Sequence, residues 1–216
     1  MGGEGASGDP AGGADDAPAP ARVAALEAAL RDERAQNAAL EREIGDLATL
    51  HAAGSRLHAS LSPPRVLDHV REVLAQLVGA EAYVVYVVDA AHQLLHPIAS
   101  DGVPEAGLAP VAVGEGVVGA AFVAGVPSVE PLGGPPSRGS VDAPLAVVPL
   151  RADGQVVGVL TVVALLPQKR GWAEIDDALF RLLAAQAGPA LLAAALHARA
   201  PGPAAALAAL REQLCA

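Results

Sequence analysis

From Arg22 onward, Val23, Leu26, Leu30, Asn37, Leu40, Ile44 and Leu47 fall on alternating three- and four-residue steps, with Glu33 the one charged intruder. That spacing predicts a long helix with a heptad seam. With Val23 at position a, Asn37 also takes an a site, where paired amides in a parallel dimer fix register at some cost in stability. Arg22 then sits at g and Glu27 at the following e, so the two attract across the pair. We read residues 21–61 as a coiled-coil helix that joins two copies in parallel, with Val23, Leu26, Leu30, Asn37, Leu40, Ile44 and Leu47 as the dimer interface. The alternative is one amphipathic helix lying on its own domain, but alanines and charges cover its other faces.

After Leu47 the apolar positions move to Leu50, Gly54, Leu57 and Leu61, a three-residue slip that changes supercoiling locally. "SPPRVLDHVREVLAQLVGAE" then predicts a helix that starts at Ser62 with prolines in its first turn and ends at Gly79. Val66, Val70, Leu74 and Leu77 mark its expected buried side. "EAYVVYVVD", 81–89, predicts a buried strand and "HQLLHPIASDG" its neighbour. Val111–Val113 predicts a short strand, Val117–Val123 a short helix, and Val126–Glu130 another extended piece. "APLAVVPLRADGQVVGVLTVVALL" predicts two strands joined at Asp153-Gly154, a dipeptide favoured in tight hairpin turns. A long helix from about Trp172 to Arg199 closes the domain, with Ile175, Leu179, Leu182 and Leu183 on one side.

Residues 111–125, "VAVGEGVVGAAFVAG", hold Gly114, Gly116 and Gly119 in the spacing G-x-G-x-x-G, which in another setting cradles a dinucleotide pyrophosphate. Glu130 even ends the next extended piece, where a ribose-binding acid would stand. The helix after Gly116 is too short to cross back over a sheet, Glu115 would repel a phosphate, and the hairpin that follows is antiparallel. "GPPSRGS" has the outline of a phosphate loop without its lysine. Neither stretch reads as a nucleotide cradle.

Composition narrows the classes further. The chain has 216 residues, 52% hydrophobic and 2% aromatic, so Ala, Val and Leu must build most of one core. Its net charge of −10 opposes phosphate backbones and anionic lipid, so nucleic acid is not an expected partner. One cysteine, Cys215, allows no intrachain disulfide and no thiolate cluster. Residues 1–20 are small, acidic and rich in Gly and Pro, unlike a signal peptide, and predict a disordered tail. "LLAAQAGPALLAAALHA", 182–198, is the only stretch apolar enough to consider as a membrane span; its alanines, Gln186 and Pro189 read better as a buried helix. A cytoplasmic location follows from these readings, and the Ala, Gly and Arg usage suggests a GC-rich bacterial genome.

At this point a family resemblance emerges. The order helix, strand, strand, "VAVGEGVVGAAFVAGVPSVEPL", loop, "APLAVVPLRADGQVVGVLTVV" and "WAEIDDALFRLLAAQAGPALLAAAL" resembles a GAF domain over about residues 45–199. Gly114, Gly116, Gly119, Pro127, Pro149, Leu150, Gly158, Val159, Leu160, Trp172, Asp176 and Asp177 carry the likeness. The resemblance implies an α+β fold: an antiparallel sheet of about five or six strands, terminal helices on one face, and a short helix and loops over a pocket on the other. The organisation then reads 1–20 tail, 21–61 coiled-coil helix, 62–199 GAF-like domain, and 200–216 a C-terminal tail or short helix. The glycine turn, on this reading, lets the pocket helix start tightly against the sheet.

By analogy with where ligands sit in the family, Tyr86, Ser100, Asp101, Val117, Val118 and Thr161 are the candidate ligand-binding residues. Tyr86 and Thr161 fit a core role with a satisfied hydroxyl equally well, and Ser100 and Asp101 fit a turn. Family members that attach a bilin or reduce methionine sulfoxide use cysteines within the domain, and Cys215 lies outside it. Members that bind cyclic nucleotides carry an Asn-Lys pair before the last helix, where "ALLPQKRGWAEIDD" has Lys169 without the Asn. The six histidines, among them His51, His58, His69, His92, His96 and His197, form no ligand set with credible spacing; haem on His96 is a remote alternative. No catalytic residue, metal or named cofactor follows. The expectation is a non-catalytic signalling module that dimerises and senses a small ligand or relays a signal to a separate output protein. The alternative is a structural adaptor with a degenerate pocket, whose coiled coil recruits a histidine kinase or motility component.

Overall fold

The computed structural model describes residues 18–104, 108–132, 138–199 and 202. The expected tail over 1–17, the end of the chain beyond Gly202 with Cys215, and part of "GPPSRGS" lie outside the described residues. The chain divides into two compact units, Met1–Leu47 and Ala48–Ala216. Helix α1, Ala19–Leu57, supplies the first unit, and its last residues belong to the second.

The second unit is α+β. Helix α2, Pro63–Glu72, starts behind an extended Ser62 with prolines in its first turn, where a missing N–H costs no helical hydrogen bond. It continues without a break into a π-helical turn, Val73–Val78, capped by Gly79 at φ +76°. Six strands follow: β1 Ala80–Asp89, β2 Leu94–Asp101, β3 Val111–Ala112, β4 Ser128–Val129, β5 Ala146–Ala152 and β6 Gln155–Leu165. Helix α3, Gly116–Ala124, lies between β3 and β4, and α4, Glu174–Arg199, comes last. The sheet order is β3-β2-β1-β6-β5-β4, and every pairing is antiparallel. With no parallel pair among the described strands, a dinucleotide-type crossover has nowhere to form. Between β5 and β6, Asp153 and Gly154 take φ +48° and +74°, the two left-handed residues of the tight turn read from the sequence.

Alternation along β1 divides the core. Tyr83 and Val85 face the helices, where they meet Leu160 and Val162 of β6, Val66, Val70 and Leu74 below α2, and Leu179, Phe180 and Leu183 of α4. Val84 and Tyr86 face the other way. The low aromatic content is offset by close approach: a Cβ on Gly188 would stand 2.6 Å from the Arg151 carbonyl oxygen, and one on Gly54 2.7 Å from Gln186 Oε1. Small residues thus bring α4 down onto the sheet and the end of α1 onto α4.

Two expectations need correction. Leu77 is half-exposed, while Val73, Leu74 and Val78 are buried. The π-helical turn inserts one extra residue per turn, which rotates the following apolar face away from a strict 3.6 period. Leu61 is exposed because α1 ends at Leu57, four residues before the slip would have placed it.

α4 is long and apolar enough to cross a membrane by length and composition. Leu179, Leu183, Ala187 and Ala190 are buried in the core, while Leu192 and Leu196 are exposed.

Candidate functional site

The non-helical face of the sheet is where the glycine turn acts. Gly114 and Gly116 adopt φ +87° and +59°, the left-handed region in which a Cβ is strained. The Glu115 N–H donates to the Ala112 carbonyl at 3.0 Å, closing the turn. Gly119 has a different duty: a Cβ there would stand 2.3 Å from the Ala112 carbonyl oxygen, so only glycine lets α3 lie this close to β3. At its other end α3 stops at Gly125, φ +64°, whose carbonyl accepts a hydrogen bond from Arg151 of β5 at 3.3 Å. Four glycines and one arginine pin this short helix over the sheet.

Beneath α3, Val118 and Ala121 pack on Val84, Tyr86, Leu95, Val147 and Val159. Tyr86 is fully buried, and its hydroxyl has no hydrogen-bond partner. Burial first, and then the charge of Asp142, push its pKa above the usual phenol value. Asp142 also lines a cavity of about 60 Å³, with Val111, Gly116, Val117, Val118 and Val141. That space admits a few waters or a very small molecule.

The sequence candidates separate in three ways. Tyr86 and Val118 meet in this buried layer, and Val117 lines the small cavity beside them. Thr161 is buried, but its hydroxyl donates to the Val84 carbonyl at 3.3 Å, within the sheet. Ser100 and Asp101 stand exposed at the end of β2, opposite Val84 and Tyr83, and are not brought to the cavity. There, Asp101 adds to the burial that lifts Tyr83 to about 12.

On α1, Val23, Leu26, Leu30, Leu40, Ile44 and Leu47 are between 46% and 70% exposed, and Asn37 is exposed with them. So long a row of open aliphatic side chains is unusual on a helix without a partner.

Among the described residues, no three metal-ligating side chains converge. His96 is half-buried on β2 opposite Val87. His92 pairs with Asp89 at 2.6 Å across an exposed turn; the contact raises the imidazole pKa and lowers that of the carboxylate. Lys169, which the sequence left without a partner, forms a buried ion pair with Asp176 at 2.7 Å and so serves the start of α4. Asp176 also accepts the Ala173 N–H at 2.6 Å, and Trp172 donates to the Glu130 carbonyl at 2.9 Å. The acidic signature of the last helix was legible; its link to Lys169, seven positions earlier in the sequence, was not.

A sequence profile of the GAF domain family matches residues 60–192. No curated protein matches the sequence. Among solved structures, the chain is similar to the GAF domain of an Acinetobacter phosphoenolpyruvate-protein phosphotransferase: identity is 21%, TM-score 0.55, with 69% of this chain and 94% of that one covered. The corresponding domain from Coxiella burnetii gives 19% identity and a TM-score of 0.55, covering 72% of this chain and 97% of that one. A free methionine-R-sulfoxide reductase from Neisseria meningitidis, solved with its substrate, gives 23% and 0.53, covering 68% and 88%. At these identities the likenesses show the fold.

Proposed function

The chain belongs to the GAF domain family of signalling and sensory domains, and from that premise we propose that it is a non-catalytic cytoplasmic module that dimerises through its flanking helices and relays a small-ligand signal to a separate output protein. The observation that carries this reading is α1 itself. One continuous helix holds a heptad row of exposed aliphatics and, at its C-terminal end, Ala53, Gly54 and Leu57 buried in the domain. A second copy would cover the row, with Arg22 facing Glu27 and Asn37 facing its equivalent. The buried, unpartnered hydroxyl of Tyr86 supports ligand binding beneath α3, since leaving it unmet costs about 1–3 kcal/mol. A ligand that binds one arrangement of the helices more tightly would bias the dimer toward it.

The adaptor reading keeps one specific support: the cavity under α3 is only about 60 Å³, so the domain's own side chains fill most of that layer. Native mass spectrometry of the purified protein separates the two. A retained small molecule, lost in Val118→Trp, supports sensing; a ligand-free protein that still captures a partner through residues 21–47 supports the adaptor. Removal of residues 1–44 should leave a folded domain with weakened self-association in sedimentation, and an unchanged dimer would refute the coiled coil.

A further inference from the structure

A far larger cavity lies on the opposite face of the sheet from α3. It measures about 650 Å³, within the usual range for small-molecule sites, and opens between the start of α2, strands β1, β2, β5 and β6, and the C-terminal half of α4. Leu150 and Leu191 belong to the buried core at its floor, while Ile98 and Leu192 are exposed at its edge. Every lining residue is apolar or glycine except Arg199. Gly158 and Gly188 line the space without a side chain, with backbone oxygens of Tyr86 and Arg151 closing in where a Cβ would stand, and Ala195 presents only a methyl where a larger side chain would fill the gap. Arg199 has no hydrogen-bond or ion-pair partner among the described residues.

We propose that this groove binds a long-chain fatty acid, with the alkyl chain along Leu67, Val87 and Leu191 and the carboxylate on Arg199. An apolar trough with one cation in its lining complements a molecule with one apolar tail and one anionic head. A guanidinium suits that head because its donors match the two carboxylate oxygens. Two features oppose an anion here, the net charge of −10 and the carbonyls that end α4. Screening limits the first to about a Debye length, and the second makes the pairing with Arg199 decisive.

The test is titration of the delipidated full-length chain with fatty acids below their micellar concentrations. Saturable binding of one palmitate per chain is expected, weakening roughly tenfold for each two methylenes removed. Ala195→Phe, which fills the groove from an exposed helix position, should weaken palmitate at least tenfold with an unchanged melting curve. Arg199→Glu should do the same and shift preference toward hexadecylamine. Absence of saturable binding overturns the proposal, as does binding indifferent to chain length or to either substitution. Tighter palmitate binding in Leu207→Asp/Leu210→Asp would assign the groove to the chain's own end instead. Loss of self-association in Ala195→Phe, with palmitate binding intact, would assign it to a second copy.

Discussion

The Nζ of Lys169 stands 2.7 Å from both carboxylate oxygens of Asp176, and the carboxylate is almost wholly buried. Lys169 is the only lysine of the chain, and its stem lies over Gly79, the residue that ends the π-helical turn. One ion pair therefore ties the entry of β1 to the first turn of α4. Desolvating two charges is expensive, so a pair of this kind adds little net stability, yet removing one partner strands the other. Lys169→Met should destabilise the domain by about 3–5 kcal/mol in urea unfolding, while Lys169→Met/Asp176→Leu should lose less than the sum of its single changes. A cost below about 1 kcal/mol for Lys169→Met would show that the ammonium is dispensable.

The three glycines of residues 114–119 share one motif and predict two kinds of defect. Gly114→Ala meets no atom within 4 Å, and its difficulty is φ +87° alone. A cost of about 1–2 kcal/mol is expected from the left-handed backbone. Gly119→Ala places a methyl 2.3 Å from the backbone oxygen of Ala112, which no rotamer change relieves. It should cost more than Gly114→Ala in the same denaturation series and lift α3 from the sheet, read as faster amide exchange over residues 116–124. Equal costs would mean that α3 is not seated against β3.

Local grammar made much of this fold readable, and the failures have physical causes. Asp153-Gly154 specified its turn because both residues need φ above zero, a demand few dipeptides meet. The alternation of β1 was hidden in an apolar run because both faces of the sheet are covered, so period two left no polar mark. Leu77 misled because a π-helical turn changes the period in mid-helix without a proline or glycine to announce it. Tyr86 was legible as a candidate, since a phenol within an aliphatic strand is conspicuous, but its unmet hydroxyl depends on what lies above it in space. The groove beside Arg199 left no local signal, being made of ordinary apolar residues from six elements.

The chain has only two tyrosines, and both are buried, so the tyrosinate absorbance reports on the core alone. Tyr83 is raised from 10.0 to about 12 and Tyr86 in the same direction, chiefly by burial. Because the fold favours the protonated phenols, their contribution to stability is complete below about pH 10. It is lost as pH rises through the window from 10.0 to about 12. Tyrosinate should therefore appear at higher pH in the native protein than in urea, together with loss of the Trp172 signal. Tyr83→Phe should move alkaline unfolding upward. A native titration with the same midpoint as the urea-unfolded chain would contradict the burial of both rings.

Tyr86→Phe separates an open sensory site from a filled core more directly than any other single change. The substitution deletes one oxygen and leaves the ring that Val84, Val118 and Val159 pack against. If the hydroxyl is unmet in the resting protein, its removal relieves a buried polar group, and the melting temperature should rise by an amount equivalent to about 1–3 kcal/mol. If a ligand or an ordered water meets it, the same change removes a partner and stability should fall or stay level. A small molecule recovered with the wild-type protein and absent from Tyr86→Phe would place that ligand on the phenol. A variant that is more stable and equally free of ligand would instead make the layer beneath α3 a closed core, and the relay would then have to begin at the helices.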